Sequence, residues 1–68
     1  MHELSKTSRE AAVVSSVRTQ VKAAGLHEFI EVAITAALRA LKTDPSSEWR
    51  AIQSGVSTAH DYETRYLR

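Results

Sequence analysis

The segment LHEFIEVAITAALRALK, residues 26–42, carries more apolar surface than a helix needs to lie against a single neighbour. At about 100° per residue, Phe29, Ile30, Val32, Ala33, Ile34, Ala36, Ala37, Leu38, Ala40 and Leu41 together span about 240° of its circumference. Glu28, Glu31, Thr35, Arg39 and Lys42 are confined to the rest. A surface helix needs an apolar stripe of only about 100°. Two walls of this helix therefore have to be covered, either by two other helices of the same chain, with this one central, or by a second chain. Alanine at 33, 36, 37 and 40 leaves room for a close neighbour, which suits tight helix pairing.

The choice between those covers turns on size. A chain of 68 residues is one domain, and a core of that scale contributes roughly 3–5 kcal/mol by itself. Small domains supplement such a core with disulfides, a structural metal or a partner chain. The sequence has no cysteine, which excludes disulfides and thiolate zinc sites together. A partner chain is therefore expected: a homodimeric helical bundle assembled through the second helix, with Phe29, Ile30, Val32, Ala33, Ala36, Ala37 and Leu41 as its self-association residues.

Punctuation in the sequence predicts an all-α fold of three helices, at about residues 7–24, 27–42 and 45–66, in a single domain spanning 1–68. Thr7-Ser8-Arg9-Glu10 has the pattern of a capping box, in which the Thr7 hydroxyl accepts from a first-turn N–H and Glu10 reaches back to the cap. Val13, Val14, Val17, Val21 and Ala24 then share an arc of roughly 100°, and Gly25 closes the helix. These valines do not alternate as a strand would require. The short link Gly25-Leu26 predicts an antiparallel hairpin with the second helix, a bent continuous helix being the alternative. Glu28 and Glu31 in the first turn, with Arg39 and Lys42 in the last, match that helix's dipole at both ends. Asp44-Pro45 reads as the next N-cap followed by proline at the first helical position, with Ser46 as the other candidate cap. The third helix carries Trp49, Ile52, Val56 and Ala59 on one stripe, joined by Tyr66 and Leu67 and interrupted by Glu63. Gly55 costs about 1 kcal/mol there relative to alanine, so a bend or a close helix crossing is expected at that point.

Nine Lys and Arg against eight Asp and Glu give a formal net charge of +1. No large positive field of the kind that drives non-specific polyanion binding results, although a dimer can gather a few arginines on one face. No stretch approaches the roughly 18–20 continuous apolar residues of a membrane span, and the start MHELSKTSRE is polar with charges of both signs. A soluble, cytoplasmic protein is expected.

Candidate chemistry is sparse. His27-Glu28-Phe29-Ile30-Glu31 matches half of a helical zinc motif, but the second histidine is missing, and His2 or His60 would have to arrive from elsewhere. Two dipole-matching glutamates at a helix start explain the same letters. His60 and Glu63 form an i, i+3 pair, ordinarily a surface contact and more rarely an acid–base pair. No Gly-rich phosphate loop or Ser/His/Asp arrangement is legible, and an alanine-rich three-helix chain offers little concave volume. The sequence thus predicts no enzyme, no cofactor and no metal. Trp49 is the only tryptophan; in phase with Ile52 and Val56 it fits a core anchor, and its other role is as an interface hot spot. Tyr62, Arg65, Tyr66 and Arg68 give the last turns the most interface-like composition in the chain. Trp49, Tyr62, Arg65, Tyr66 and Arg68 are therefore the candidate partner-binding residues.

The run EFIEVAITAALRAL after Gly25 resembles the second helix of ribbon-helix-helix repressors, over about a fifth of the chain. That resemblance implies a dimeric DNA-binding protein whose N-terminal strand pairs across the dimer and reads the major groove. The strand would fall on LSKTSRE, which lacks the apolar alternation of such a ribbon. PSSEWRAI, residues 45–52, resembles a short stretch of Hha-type nucleoid regulators, which implies action through another DNA-binding protein. A helix-turn-helix formed by the second and third helices would present Ser46, Ser47, Arg50, Gln53 and Ser54, with Arg50 and Gln53 as candidate nucleic-acid contacts. Glu48 is an awkward residue to bring up to phosphate.

Three function classes follow. The leading expectation is a non-catalytic regulatory or adaptor protein that binds another protein, such as an inhibitor or anti-activator. The second is a dimeric DNA-binding regulator, which needs Arg9, Arg18, Lys22, Arg50 or Arg65 gathered on one face. The third is a structural subunit of a larger assembly.

Overall fold

The structure, a computed structural model, describes the backbone of residues 2–66 and the side chains of residues 8–66. Readings that fall on Leu67, on Arg68 or on the side chains of His2 and Thr7 lie outside the described residues. The chain forms α1 (His2–Ala23), α2 (Ile30–Thr43) and α3 (Glu48–Tyr66), with a 3-10 turn at His27–Phe29 leading into α2. There is no strand among the described residues. None of the helices described is long and apolar enough to cross a membrane. Each helix touches the other two, and α2 and α3 share the most extensive contact.

The ends of these helices depart from the sequence expectation for local reasons. Backbone at Thr7 is already inside α1, which begins at His2, so no cap forms there. The preceding residues HELSK contain no glycine or proline to stop a helix from propagating. At the other end Gly25 adopts φ +77°. The Leu26 N–H donates to the Val21 carbonyl at 3.0 Å and the Gly25 N–H to the Lys22 carbonyl at 3.0 Å. Those two bonds define a Schellman motif, and the buried pair Leu26 and Val21 supplies the apolar contact that accompanies it. The Phe29 N–H then donates to the Leu26 carbonyl at 2.9 Å, a 3-10 turn that delays α2 until Ile30.

Asp44 and Pro45 build a turn and do not open α3. The Ser47 N–H donates to the Asp44 carbonyl at 3.1 Å, which closes a β-turn with aspartate first and proline second, their favoured positions. The Ser46 hydroxyl donates to the Asp44 carboxylate at 2.8 Å. Ser47 takes the N-cap position, its carbonyl accepting from the Ala51 N–H at 3.2 Å, and α3 starts at Glu48. From α1, Arg9 fastens this turn: its guanidinium donates to the Pro45 carbonyl at 2.9 Å and lies 3.2 Å from the Glu48 carboxylate.

The core is a seam of small side chains. Val13, Val17 and Val21 from α1 meet Ala33, Ala37 and Leu41 from α2 and Ala51, Gly55 and Ala59 from α3, with Leu26 closing one end. In every helix the buried positions recur at four-residue steps, the same-face spacing of an α-helix. Gly55 is the point of closest approach. A Cβ placed on it would lie 2.6 Å from the Ala33 carbonyl oxygen, 3.0 Å from the Ala37 Cβ and 3.2 Å from a Val17 methyl. Only hydrogen fits there, so the glycine marks a close crossing. Among the described residues the largest fully enclosed side chains are Val13, Val17 and Val21, and Phe29, Ile30, Ile34, Ala40, Ile52 and Val56 pack half-buried around the seam.

Two expectations change as a result. Ala33, Ala37 and Leu41, assigned to self-association from the sequence, are closed off by α1 and α3 of their own chain. The middle of the apolar arc of α2 is thus covered internally, because two small-residue stripes let α3 settle close enough to seal it. Trp49 is not a core anchor: it is 66% exposed. The stripe of α3 that faces inward centres on Gly55, about 80° round the helix from the centre of the Trp49, Ile52, Val56 and Ala59 stripe.

Candidate interaction surfaces

The large apolar side chains that the seam excludes line two shallow grooves. The first runs between α2 and α3 and is bordered by Glu31, Val32, Thr35, Ala36 and Arg39 on one side and by Thr58 and Tyr62 on the other. Val32 and Ala36 are half-buried, and Glu31, Thr35 and Arg39 are exposed. Tyr62 also belongs to a short aromatic ladder: its ring centroid lies 5.9 Å from that of Phe29 and 5.4 Å from that of Tyr66, at tilts of 50° and 42°. Such spacings fall in the favourable range for aromatic pairs. The ladder climbs from the half-buried Phe29 to Tyr66, which is 67% exposed.

The second groove lies between α1 and α3, lined by Gln20, Trp49, Gln53, Val56, Ser57 and His60. Trp49 stands at its rim near the start of α3. The expected partner-binding set is therefore divided: Trp49 sits on the α1 side, while Tyr62 and Tyr66 lie roughly 20 Å further along α3, beside Phe29. Arg65 is paired with Asp61 at 3.5 Å, one helical turn away. Arg68 is outside the described residues.

The self-association set is divided as well. Phe29 and Ile30 pack against the core and Ala33, Ala37 and Leu41 lie inside it, which leaves Val32 and Ala36 on an accessible wall. Arg50 and Gln53 are both exposed. Of the five basic residues named for a nucleic-acid face, Arg9 and Arg65 are engaged with Glu48 and Asp61. The segment on which the ribbon-helix-helix resemblance places a strand is helical.

His60 Nδ1 lies 3.9 Å from the Glu63 carboxylate, with both side chains about half exposed. That is beyond hydrogen-bond reach. No three of the His, Asp and Glu side chains described come together in a way that could hold a metal ion. Thr58 is a groove residue that sequence reasoning missed. Its only signal is a position one turn before Tyr62, and its hydroxyl is occupied, donating to the Ser54 carbonyl at 2.8 Å. Comparison of the chain with protein-family models, with curated proteins and with solved structures gave no match.

Proposed function

We propose that this protein is a non-catalytic regulatory or adaptor module, a homodimeric helical bundle with α1 and α2 as an antiparallel hairpin, which acts by binding another protein, as an inhibitor or anti-activator would. The observation that carries this reading is the inverted placement of side-chain size. Valine, alanine and glycine fill the interior together with Leu26 and Leu41, while Trp49 and Tyr66 are 66% and 67% exposed. Enclosing an aromatic side chain contributes roughly 1.5–3 kcal/mol, so a small domain that leaves two of them in water gains from a partner that covers them. Trp and Tyr are also the residues that most often dominate interface energetics.

The test compares binding of a captured protein partner by the wild type, by the double variant W49S/Y66S and by R50A/Q53A. Loss with the aromatic pair and retention with the polar pair, at unchanged melting temperature, is the expected result. Undiminished binding by W49S/Y66S overturns the reading. A DNA-binding regulator is the second reading, favoured by the exposure of Arg50 and Gln53 on the first two turns of α3. Its signature is affinity for duplex DNA that falls steeply with salt and disappears in R50A/Q53A.

A further inference from the structure

We infer that a second copy of this chain docks on the outer face of α2, antiparallel to it about a two-fold axis beside Thr35, so that Glu31 of each copy meets Arg39 of the other. The inference rests on the homodimer in the reading above and supplies its face and register.

The order of residues along α2 carries the argument. Glu31 and Arg39, both within α2, stand four residues before and after Thr35. Steps of four return to the same helix face. The outer stripe of α2 therefore reads acid, threonine, base, and turning it end for end about Thr35 places Glu31 of each copy opposite Arg39 of the other. An isologous interface requires this self-complementarity.

Within the protomer the same charges have no such satisfaction. Glu31 has no Lys or Arg one turn away along α2, and neither Arg39 nor Lys42 has a carboxylate there. Arg39 and Lys42 are like charges at i, i+3, a spacing at which helix neighbours meet. None of these three takes part in an ion pair among the described residues, whereas Arg9 and Arg65 do. The helix dipole accounts for the sign at each end. It also favours an antiparallel neighbour over a parallel one.

Shape agrees with charge. The centre of the stripe is small, Thr35 beside Ala36, so two α2 helices can approach to the usual 8–10 Å. Val32 of one copy then comes alongside Ala36 of the other, covering the apolar wall that opens into the α2–α3 groove. Ala33, Ala37 and Leu41 stay inside their own protomer, and Trp49 and Tyr66 remain available to a different protein.

Charge reversal tests the register directly. By sedimentation velocity from low micromolar concentration upwards, E31R and R39E should each weaken self-association about a hundredfold, since each reversal sets two like-charge pairs into the interface. An equimolar mixture of E31R and R39E should recover the dimer mass, because every charge of one variant then faces its opposite on the other. The double variant E31R/R39E should dimerise alone. Loss of helix-end stability would not be rescued by mixing, and circular dichroism of each variant confirms that it is folded. A wild-type dimer indifferent to both reversals overturns the register while leaving the homodimer intact. A monomer at every concentration overturns the inference and the homodimer together, and leaves the partner test on Trp49 and Tyr66 standing.

Discussion

Gly55 determines how closely α3 can lie on α2. Alanine at that position would favour the helix by about 1 kcal/mol, yet its Cβ would sit 2.6 Å from the Ala33 carbonyl oxygen, a backbone atom that cannot rotate away. Forcing extra volume into a closed core costs typically 1–3 kcal/mol. G55A should therefore lower stability by about 1–2 kcal/mol in urea unfolding with the m-value unchanged; a stabilised variant would mean that the helices part freely. Gly25 is the opposite case. Nothing lies within 4 Å of a Cβ built on it, and the cost of G25A, about 1–2 kcal/mol, comes from the left-handed backbone alone. Sequence reasoning anticipated both glycines as special. It could not place Trp49, because a stripe drawn through the largest apolar residues of α3 ignores the glycine that packing selects. Hydropathy ranks Gly55 low, whereas close approach ranks it first.

At the scale of elements, three helices were legible because Gly25 and Pro45 interrupt otherwise unbroken helical periodicity. Their ends were less so. Asp44-Pro45 suits both a helix start and the first two positions of a β-turn, and what selects the turn here is a hydrogen bond from Ser46 together with the hold of Arg9, 36 residues away in sequence. No local pattern reports a contact of that range. The Arg9 clamp is open to water, with both partners nearly half exposed, so its contribution is modest. A double-mutant cycle of R9A and E48A should give a coupling of about 0.2–1 kcal/mol that shrinks as salt is raised. Coupling near zero beside a measurable cost of R9A would indicate that the bond to the Pro45 carbonyl, which the cycle cancels, carries the effect of Arg9.

For the whole molecule, the 240° apolar arc on α2 called for two covered walls, and it could not say which part of the arc the chain would cover itself. The answer depended on Ala51, Gly55 and Ala59, a stripe on a different helix whose smallness brings α3 into place. What the arc leaves outside is Val32 with Ala36, the wall proposed for a second copy. Such association would stabilise the fold by mass action, and the melting temperature should then rise with protein concentration across the dimer's dissociation range. A melting temperature constant over a hundredfold dilution would sink the homodimer.

The exposed indole of Trp49 has an optical consequence. Because the only tryptophan already stands in water on the folded protomer, its emission lies at the long wavelength of a solvated ring and shifts little when the protomer unfolds. A partner seated on the α1–α3 groove would move it to the blue. The chain thus carries an intrinsic fluorescent gauge of that one surface, and a titration that leaves the spectrum in place identifies a ligand bound elsewhere.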